Sequence, residues 1–413
     1  MNVHPDNVYD RSPYPRYPLE ATPFNDWNAL FLSNVSTARY RRDGFFRMMS
    51  GGTILDVGCG SGWKTLILAK ANPDCEVIAI DPSGPSIELA QLRIEQHRIS
   101  NVRFHVAGLN EVPRLVGTFD YINCDELIYL LPDIAPTDAL SLLRSALTRG
   151  GILRFNLHSR YQREGYYRGQ QLFRLLGLMD CGTGPSEASA VSRFFGCLKP
   201  DTELKRKTWI PLFESSNAEE HILMNFLLQD DRGYTIPEFF EALERAHFRF
   251  ISMVNWDQWR LERLFTDSIP ALIMKTLKGQ EPDRALQLFE LLNPIHRRLD
   301  AWVGRVEDVS ETSAELEIDE DDQLCIHPVF KSTPIRTAME LAIQQGTPFK
   351  FTDFVKVSSA EPLEIPTEFL QNFLPLWDRP CLFRELANGR SDELHGLLIK
   401  LEAACFLMKK RPD

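Results

Sequence analysis

A chain of 413 residues with 44% hydrophobic and 25% charged side chains has the composition of a folded globular protein and excludes a disordered or fibrous one. At that length a single hydrophobic core stops growing, so two or three domains are expected. The formal charge of -11 argues against broad phosphate-backbone binding, so nucleic acid is not an expected partner.

No apolar run is long enough to span a bilayer, and the opening MNVHPDNVYDRSPYPRYP lacks the basic-then-apolar order of a secretory signal. A cytoplasmic protein with no membrane contact is the expectation. The eight cysteines are scattered without a C-x-x-C pair, and no His cluster has metal spacing, which predicts reduced thiols and no metal.

Taken in chain order, residues 1–50 read as an irregular arm followed by one helix over Asp26–Arg41, with Trp27, Leu30, Phe31, Val35 and Ala38 on one stripe. From Thr53 strands and helices alternate. Thr53–Val57, Glu76–Ile80, Val102–Val106, Phe119–Cys124 and Ile152–Leu157 are predicted strands. Trp63–Ala71, a helix capped by Ser83 and running to about His97, and Ala135–Thr148, closed by Gly150-Gly151, are the predicted helices between them. Buried strands separated by helices mean a mostly parallel, doubly wound α/β sheet of Rossmann-like type.

Next come a helix over Arg160–Leu178, a loop over Cys181–Ser189 and a helix over Ala218–Gln229. Arg160, Arg163, Arg168 and Arg174 read as the wet face of the first of these. Thr235-Ile-Pro-Glu238 is a capping box that opens a helix, and Phe248–Val254 is a strand expected to resume the sheet. Residues from about 160 to 232 are thus a helical insertion in a core spanning 51–256. Residues 257–413 read as a second, α-rich (α+β) domain, with helices over Arg284–Leu292, Thr333–Gln345 and Ser391–Leu407 and an acidic loop or hairpin over Glu307–Asp322.

The informative stretch is Ile54-Leu-Asp-Val-Gly-Cys-Gly-Ser-Gly-Trp63. A strand delivers Asp56, and Gly58, Gly60 and Gly62 allow the following turn to pass close beneath a ligand before a helix begins. The dinucleotide spacing G-x-G-x-x-G would need a glycine where Trp63 stands, and no G-K-[ST] follows, which excludes a P-loop. Asp81, followed by Pro82, ends the second strand, where an acid in an open α/β sheet meets ribose hydroxyls.

Asp56-x-Gly58-x-Gly60-x-Gly62, then Asp81, then Phe119-Asp-Tyr-Ile122 resemble the motifs of class I S-adenosylmethionine-dependent methyltransferases over residues 50–160. The Tyr9–Pro18 arm and Asn156-Leu-His-Ser159 before a helical insert resemble bacterial members that carry a methyltransferase regulatory domain. The resemblance implies S-adenosylmethionine as methyl donor. Gly58, Cys59 and Gly60 would line its methionine part, Asp81 would hold the ribose, and Leu109 and Asn110 would lie beside adenine, with Asp56, Gly62, Pro82 and Asn123 completing the cofactor set. The chain reads Ala107-Gly108-Leu109 where many relatives have Gly-Asp-Ala, so adenine contacts fall to backbone groups or Asn110.

Methyl transfer needs alignment, exclusion of water and handling of one proton. Asp125, Glu126, Tyr129, Asn156, His158 and Ser159 stand where the fourth and fifth strands end. His158 is a candidate base, Asp125 or Glu126 could hold or deprotonate an ammonium, and Tyr129 could orient a nucleophile. The acceptor is a protein side chain or a small molecule. A cofactor-binding scaffold without catalysis is the alternative, and the proline-stiff arm Tyr14-Pro-Arg-Tyr17 is a candidate lid over the cofactor.

Overall fold

The apolar runs assemble into one seven-stranded sheet. It is seen in a computed structural model that describes residues 10, 13–47, 49, 51–114, 117–131, 134–180, 184–215, 217–229, 231–277, 282–308, 319, 321–355, 363–387 and 391–410. The strands are β1 (Thr53–Val57), β2 (Glu76–Asp81), β3 (Val102–Val106), β4 (Phe119–Cys124), β5 (Leu147–His158), β6 (Phe248–Met253) and β7 (Arg298–Arg305). Their order is β3-β2-β1-β4-β5-β7-β6. β1 to β5 pair in parallel, while β7 lies antiparallel between β5 and β6. The chain winds outward from β1 in one direction and resumes with β4 on its other side, so a crevice opens at the carboxyl ends of β1 and β4.

The crossover helices start where the sequence places them. Ser83 accepts from the Ser86 amide to cap the helix Gly84–Gln96, with Pro85 in its first turn. Thr235 and Glu238 form a reciprocal capping box on Ile236–Arg245, whose buried Phe239 stacks on Phe155 of β5 at 5.1 Å. β6 follows that helix and joins the sheet edge.

Several expectations give way. The single helix over Asp26–Arg41 is two, Trp27–Ser33 and Val35–Asp43, broken at Asn34. There the backbone is extended and the Asn34 side chain caps the second helix through the Ser36 amide. Gly150-Gly151 does not close a helix. Pro136–Ser145 ends earlier, and Gly150, at φ +71°, lies inside β5 where the pairing with β4 shifts register.

Within the expected loop at Cys181–Ser189, residues 181–183 lie outside the described set, and Pro185 starts the helix Pro185–Cys197. The last helix stops at Ala403, and Leu407 opens a strand. The acidic segment Glu307–Asp322 falls largely outside the described residues, but its first two acids are tied to the core: Glu307 binds Arg144 and Asp308 accepts from the Gly150 amide.

The core also reaches beyond residue 256. β7 lies inside the sheet, one strand from its edge, and its apolar run is interrupted by Asp300, which forms a buried pair with Arg154 of β5. Residues 323–326, 381–382 and 407–410 make a separate three-stranded sheet, surrounded by Phe330, Ile335, Phe351, Phe373 and Phe406. Phe31 and Tyr40, from the two N-terminal helices, belong to that same core. The Phe46 amide donates to Lys409, so the segment before residue 50 and the end of the described chain are one unit rather than two.

The insertion has its own small core of Phe173, Val191, Phe195, Phe213 and Phe226, formed by helices Glu164–Leu175, Pro185–Cys197 and Ala218–Phe226 and the short turn Pro211–Glu214. No helix among the described residues is long and apolar enough to cross a membrane.

Candidate active site

Strand register lines up a polar row across one face of the sheet. Asp56 of β1 lies opposite Asn123 of β4, Asn123 opposite Arg154 of β5, and Arg154 opposite Trp302 of β7. Alternation then puts Asn156 and His158 on the same face, one step nearer the carboxyl edge each time.

Asp56 is fully buried, with Thr65 Oγ1 donating to one oxygen at 2.7 Å and Asn123 Nδ2 to the other at 2.8 Å. Burial raises its pKa, and those two donors oppose the rise. Asp56 and Asn123 are therefore a brace that fixes β1, β4 and the helix Trp63–Ala71 beneath the glycine turn.

The turn itself is close-packed. The Gly58 and Cys59 amides both donate to the Ile80 carbonyl, the Gly60 amide to Asp81 Oδ2 at 3.0 Å, the Ser61 amide to the Tyr14 carbonyl and the Gly62 amide to the Cys59 carbonyl. All five of these amides are satisfied within the protein.

Glycine at 60 is required twice over, by φ +51° and because a Cβ would stand 2.2 Å from the Tyr14 carbonyl oxygen. Gly62, at φ +80°, serves helix packing instead, since its Cβ would meet Ala90 at 2.7 Å. Cys59 is buried, and burial pushes its thiol well up.

Asp81 accepts from Ser83 N through Oδ1 and Gly60 N through Oδ2, one donor per oxygen. A carboxylate offers about four lone-pair sites, so two remain for a diol. Pro82 beside it is exposed. Leu109 is buried and Asn110 exposed at the start of a short helical turn after β3, and Glu111 caps the Gly108 amide.

Beyond β4, Asp125 and Glu126 are not free. Asp125 pairs with Lys64 at 2.9 Å and Arg298 at 3.1 Å and accepts from Asn156. Burial raises its carboxyl, but Lys64, Arg298 and Arg154 outweigh that and hold it well below the usual range. Glu126, a non-glycine residue at φ +56°, accepts from both Arg297 and Arg298. The place of an ammonium beside these two carboxylates is filled by the protein's own Lys64, Arg297 and Arg298.

Tyr129 and His158 stack at 3.7 Å between ring centroids. His158 is buried, with Nδ1 2.9 Å from Asp231 Oδ1. Its Nε2 is buried and has no partner. Burial, with Arg163 and Arg297 adding to it, lowers the imidazole to about 4, although Asp231 opposes. The Tyr129 phenol is pushed well up by burial and by Glu126, so it stays protonated.

Asp231, Arg163, Lys64, Arg297 and Arg298 escaped sequence reasoning. Arg163 contradicts the wet helix face: it is fully buried on Asp231 and Asn225. Ser159 binds Glu290 at 3.2 Å, away from the ring pair.

A family model described as a methyltransferase domain matches residues 49–189. That match marks this part of the chain as a methyltransferase domain.

An uncharacterized protein of Synechococcus sp. is 26% identical over 301 residues, covering 72% of this chain and 70% of that one. A malonyl-[acyl-carrier protein] O-methyltransferase of Halalkalibacterium halodurans is 26% identical over 232 residues, covering 53% of this chain and 78% of its own length. The solved structure of PKMT2 from Rickettsia typhi shares the fold over 96% of this chain and 77% of its own, at TM-score 0.60 and 15% identity. The same protein in complex with AdoHcy gives a TM-score of 0.59. What these two structures share with this chain is the fold. Among the described residues no group of three or more His, Cys, Asp or Glu side chains could hold a metal ion, and the seven described cysteines are all free.

Proposed function

We propose that the protein transfers the S-adenosylmethionine methyl group to a nucleophile that carries a proton at rest, and that His158 Nε2 receives that proton. One observation carries the reading: a buried imidazole with one nitrogen held by a carboxylate and the other unpartnered, at the carboxyl end of β5. A neutral ring with a lone pair is a base as it stands, and a pKa near 4 keeps it neutral across the physiological range.

Asp81 would accept from the ribose diol, and the turn Gly58-Cys59-Gly60 would lie under the methionine part, with Leu109 and Asn110 beside adenine. The bound cofactor supplies an electrophilic methyl on sulfonium. The protein's work is to orient the acceptor, exclude water and take up one proton. Tyr129 would be the wall against which the acceptor lies. Residues 160–232 would shape the acceptor cleft, on either a protein side chain or a small molecule.

The test is transfer of a labelled methyl from S-adenosylmethionine into a host lysate resolved into protein and small-molecule fractions. His158→Ala should lower transfer by at least ~100-fold, the lower range for loss of a general base, with cofactor affinity kept. Cofactor binding without any transfer by the wild type would leave the scaffold alternative.

A further inference from the structure

The nitrogen of His158 that faces away from the orphaned one is gripped by a residue from a different part of the chain. Asp231 lies just after the insertion's last helix, Ala218–Phe226, 73 positions from His158. Its Oδ1 stands 2.9 Å from His158 Nδ1, and its Oδ2 accepts from Arg163 Nη2 at 3.0 Å. Arg163 is itself oriented by Asn225 Oδ1 at 2.9 Å, and its guanidinium lies over the Tyr166 and Tyr167 rings at 5.1 and 5.7 Å. The three charged or titratable members are closed to water: the side chains of His158, Arg163 and Asp231 are 2%, 0% and 0% exposed.

We infer that Asp231, carried by the helical insertion, is a positioning residue for methyl transfer, holding His158 as the Nδ1–H tautomer so that the Nε2 lone pair faces the acceptor's proton. The inference rests on the proposed base role of His158.

A carboxylate is an acceptor only, so the proton between Asp231 and His158 must sit on Nδ1. Neutral imidazole carries one proton, which leaves Nε2 as the acceptor. Arg163 completes the arrangement by neutralising Asp231. A lone buried carboxylate would draw a second proton onto the ring and destroy the base, whereas an ion-paired one orients the ring without charging it.

The insertion also returns to the sheet at this point. Tyr234 N donates to the His158 carbonyl at 2.8 Å, and Gly233 passes so near Arg160 that a Cβ would stand 2.3 Å from its Cα. Base and insertion are thus assembled together. In the step itself the acceptor's X–H bond breaks, its electrons form the new X–CH3 bond, the C–S bond electrons return to sulfur, and the proton ends on Nε2.

The experiment uses full-length protein labelled with 15N-histidine, with the His158 resonance assigned by its loss in His158→Gln. Long-range 1H–15N correlation reads the tautomer, calorimetry with S-adenosylhomocysteine reads cofactor affinity, and labelled methyl transfer into lysate reads turnover. The wild type should show Nδ1–H. Asp231→Asn should shift His158 towards Nε2–H and cut transfer ~100-fold or more, while affinity for S-adenosylhomocysteine changes less than ~3-fold.

An Nε2–H tautomer in the wild type overturns the inference whether or not the variant folds. So does an Asp231→Asn protein with wild-type tautomer and transfer. If Asp231→Asn is unstable because Arg163 is left unpaired, Asp231→Asn with Arg163→Gln removes both charges and gives the same readouts. A wild type that shows Nδ1–H but transfers no methyl to any fraction sinks the base role and leaves the tautomer assignment intact.

Discussion

The Ser61 amide donates to the Tyr14 carbonyl at 2.9 Å, and Ser61 Oγ donates to the next carbonyl, that of Pro15, at 2.7 Å. The N-terminal arm thus lies on the glycine turn through backbone oxygens. Tyr17 stacks on Trp63 at 4.2 Å, and Arg93, fully buried, donates to the Ser61, Tyr17 and Pro18 carbonyls. One guanidinium ties turn and arm together.

Arg93→Ala should therefore loosen the arm and weaken cofactor binding. Hydrogen bonds to charged groups are each worth about 1.5–3 kcal/mol, and partial rescue by water leaves an expected ~10-fold loss of affinity. Deleting residues 1–20 should weaken binding at least as much. Calorimetry reads both, and limited trypsin digestion at Arg16 should accelerate in Arg93→Ala. Unchanged affinity in the deletion would remove the idea that the arm is a lid.

Gly60→Ala tests the same contact from the turn's side. Its methyl would meet the Tyr14 oxygen at 2.2 Å, and φ +51° is strained for alanine. Arm and cofactor cannot both keep their places, so a loss of cofactor affinity well above 10-fold is expected. Gly196→Ala, in the helix Pro185–Cys197 with open space around it, should change nothing or stabilise slightly. Equal behaviour of the two variants would show that the turn is not where the ligand sits.

The parts of this site that the sequence reveals are those written in local pattern. Gly58, Gly60, Asp81 and the strand runs occupy a few adjacent positions, and each has a backbone or register reason to be there. Ser83 and the Thr235–Glu238 box likewise mark helix starts through neighbours two or three residues away. What stays hidden depends on distant pairing. β7 carries Asp300 in an apolar run and looks unlike an interior strand until Arg154 of β5 is brought to pair with it. Arg163 looks like one of several surface arginines until Asp231 and Asn225 close around it. Phe31 and Tyr40 give no sign that their core is completed by residues three hundred positions on. Asp56 is legible as a motif residue, but its bracing of β1, β4 and the helix Trp63–Ala71 through Asn123 and Thr65 is again a matter of distant pairing.

Asp81→Ala probes the ribose site. Removing the carboxylate deletes two acceptors for the diol and also frees the Gly60 and Ser83 amides. At about 1.5–3 kcal/mol for a charge-assisted bond, affinity for S-adenosylhomocysteine should fall by about 10- to 150-fold or more. Asp81→Asn should fall nearly as far, because its Nδ2 would oppose the Gly60 N–H. Wild-type affinity in Asp81→Ala would be incompatible with the cofactor site described.

Acid sensitivity should come partly from a histidine remote from the chemistry. His327 Nδ1 accepts from the Val329 amide at 3.2 Å, so its proton is on Nε2, 2.9 Å from Thr37 Oγ1, which in turn donates to the Phe31 carbonyl. Burial alone lowers its pKa from 6.5 to about 3. The folded value lies below the unfolded one, so between pH 6.5 and 3 the unfolded chain takes up a proton that the folded chain refuses. Stability is then lost as pH falls through that window, at up to about 1.4 kcal/mol per pH unit from this group. His158, lowered to about 4, adds to the slope over its own narrower window. His327→Asn keeps a cap for Val329 but does not titrate. It should be less stable than the wild type at pH 7 and lose less on going to pH 4.5, as urea unfolding midpoints at the two pH values would show. Because His158 is present in both proteins its contribution cancels, and parallel pH dependences for the two would mean that His327 is not held neutral.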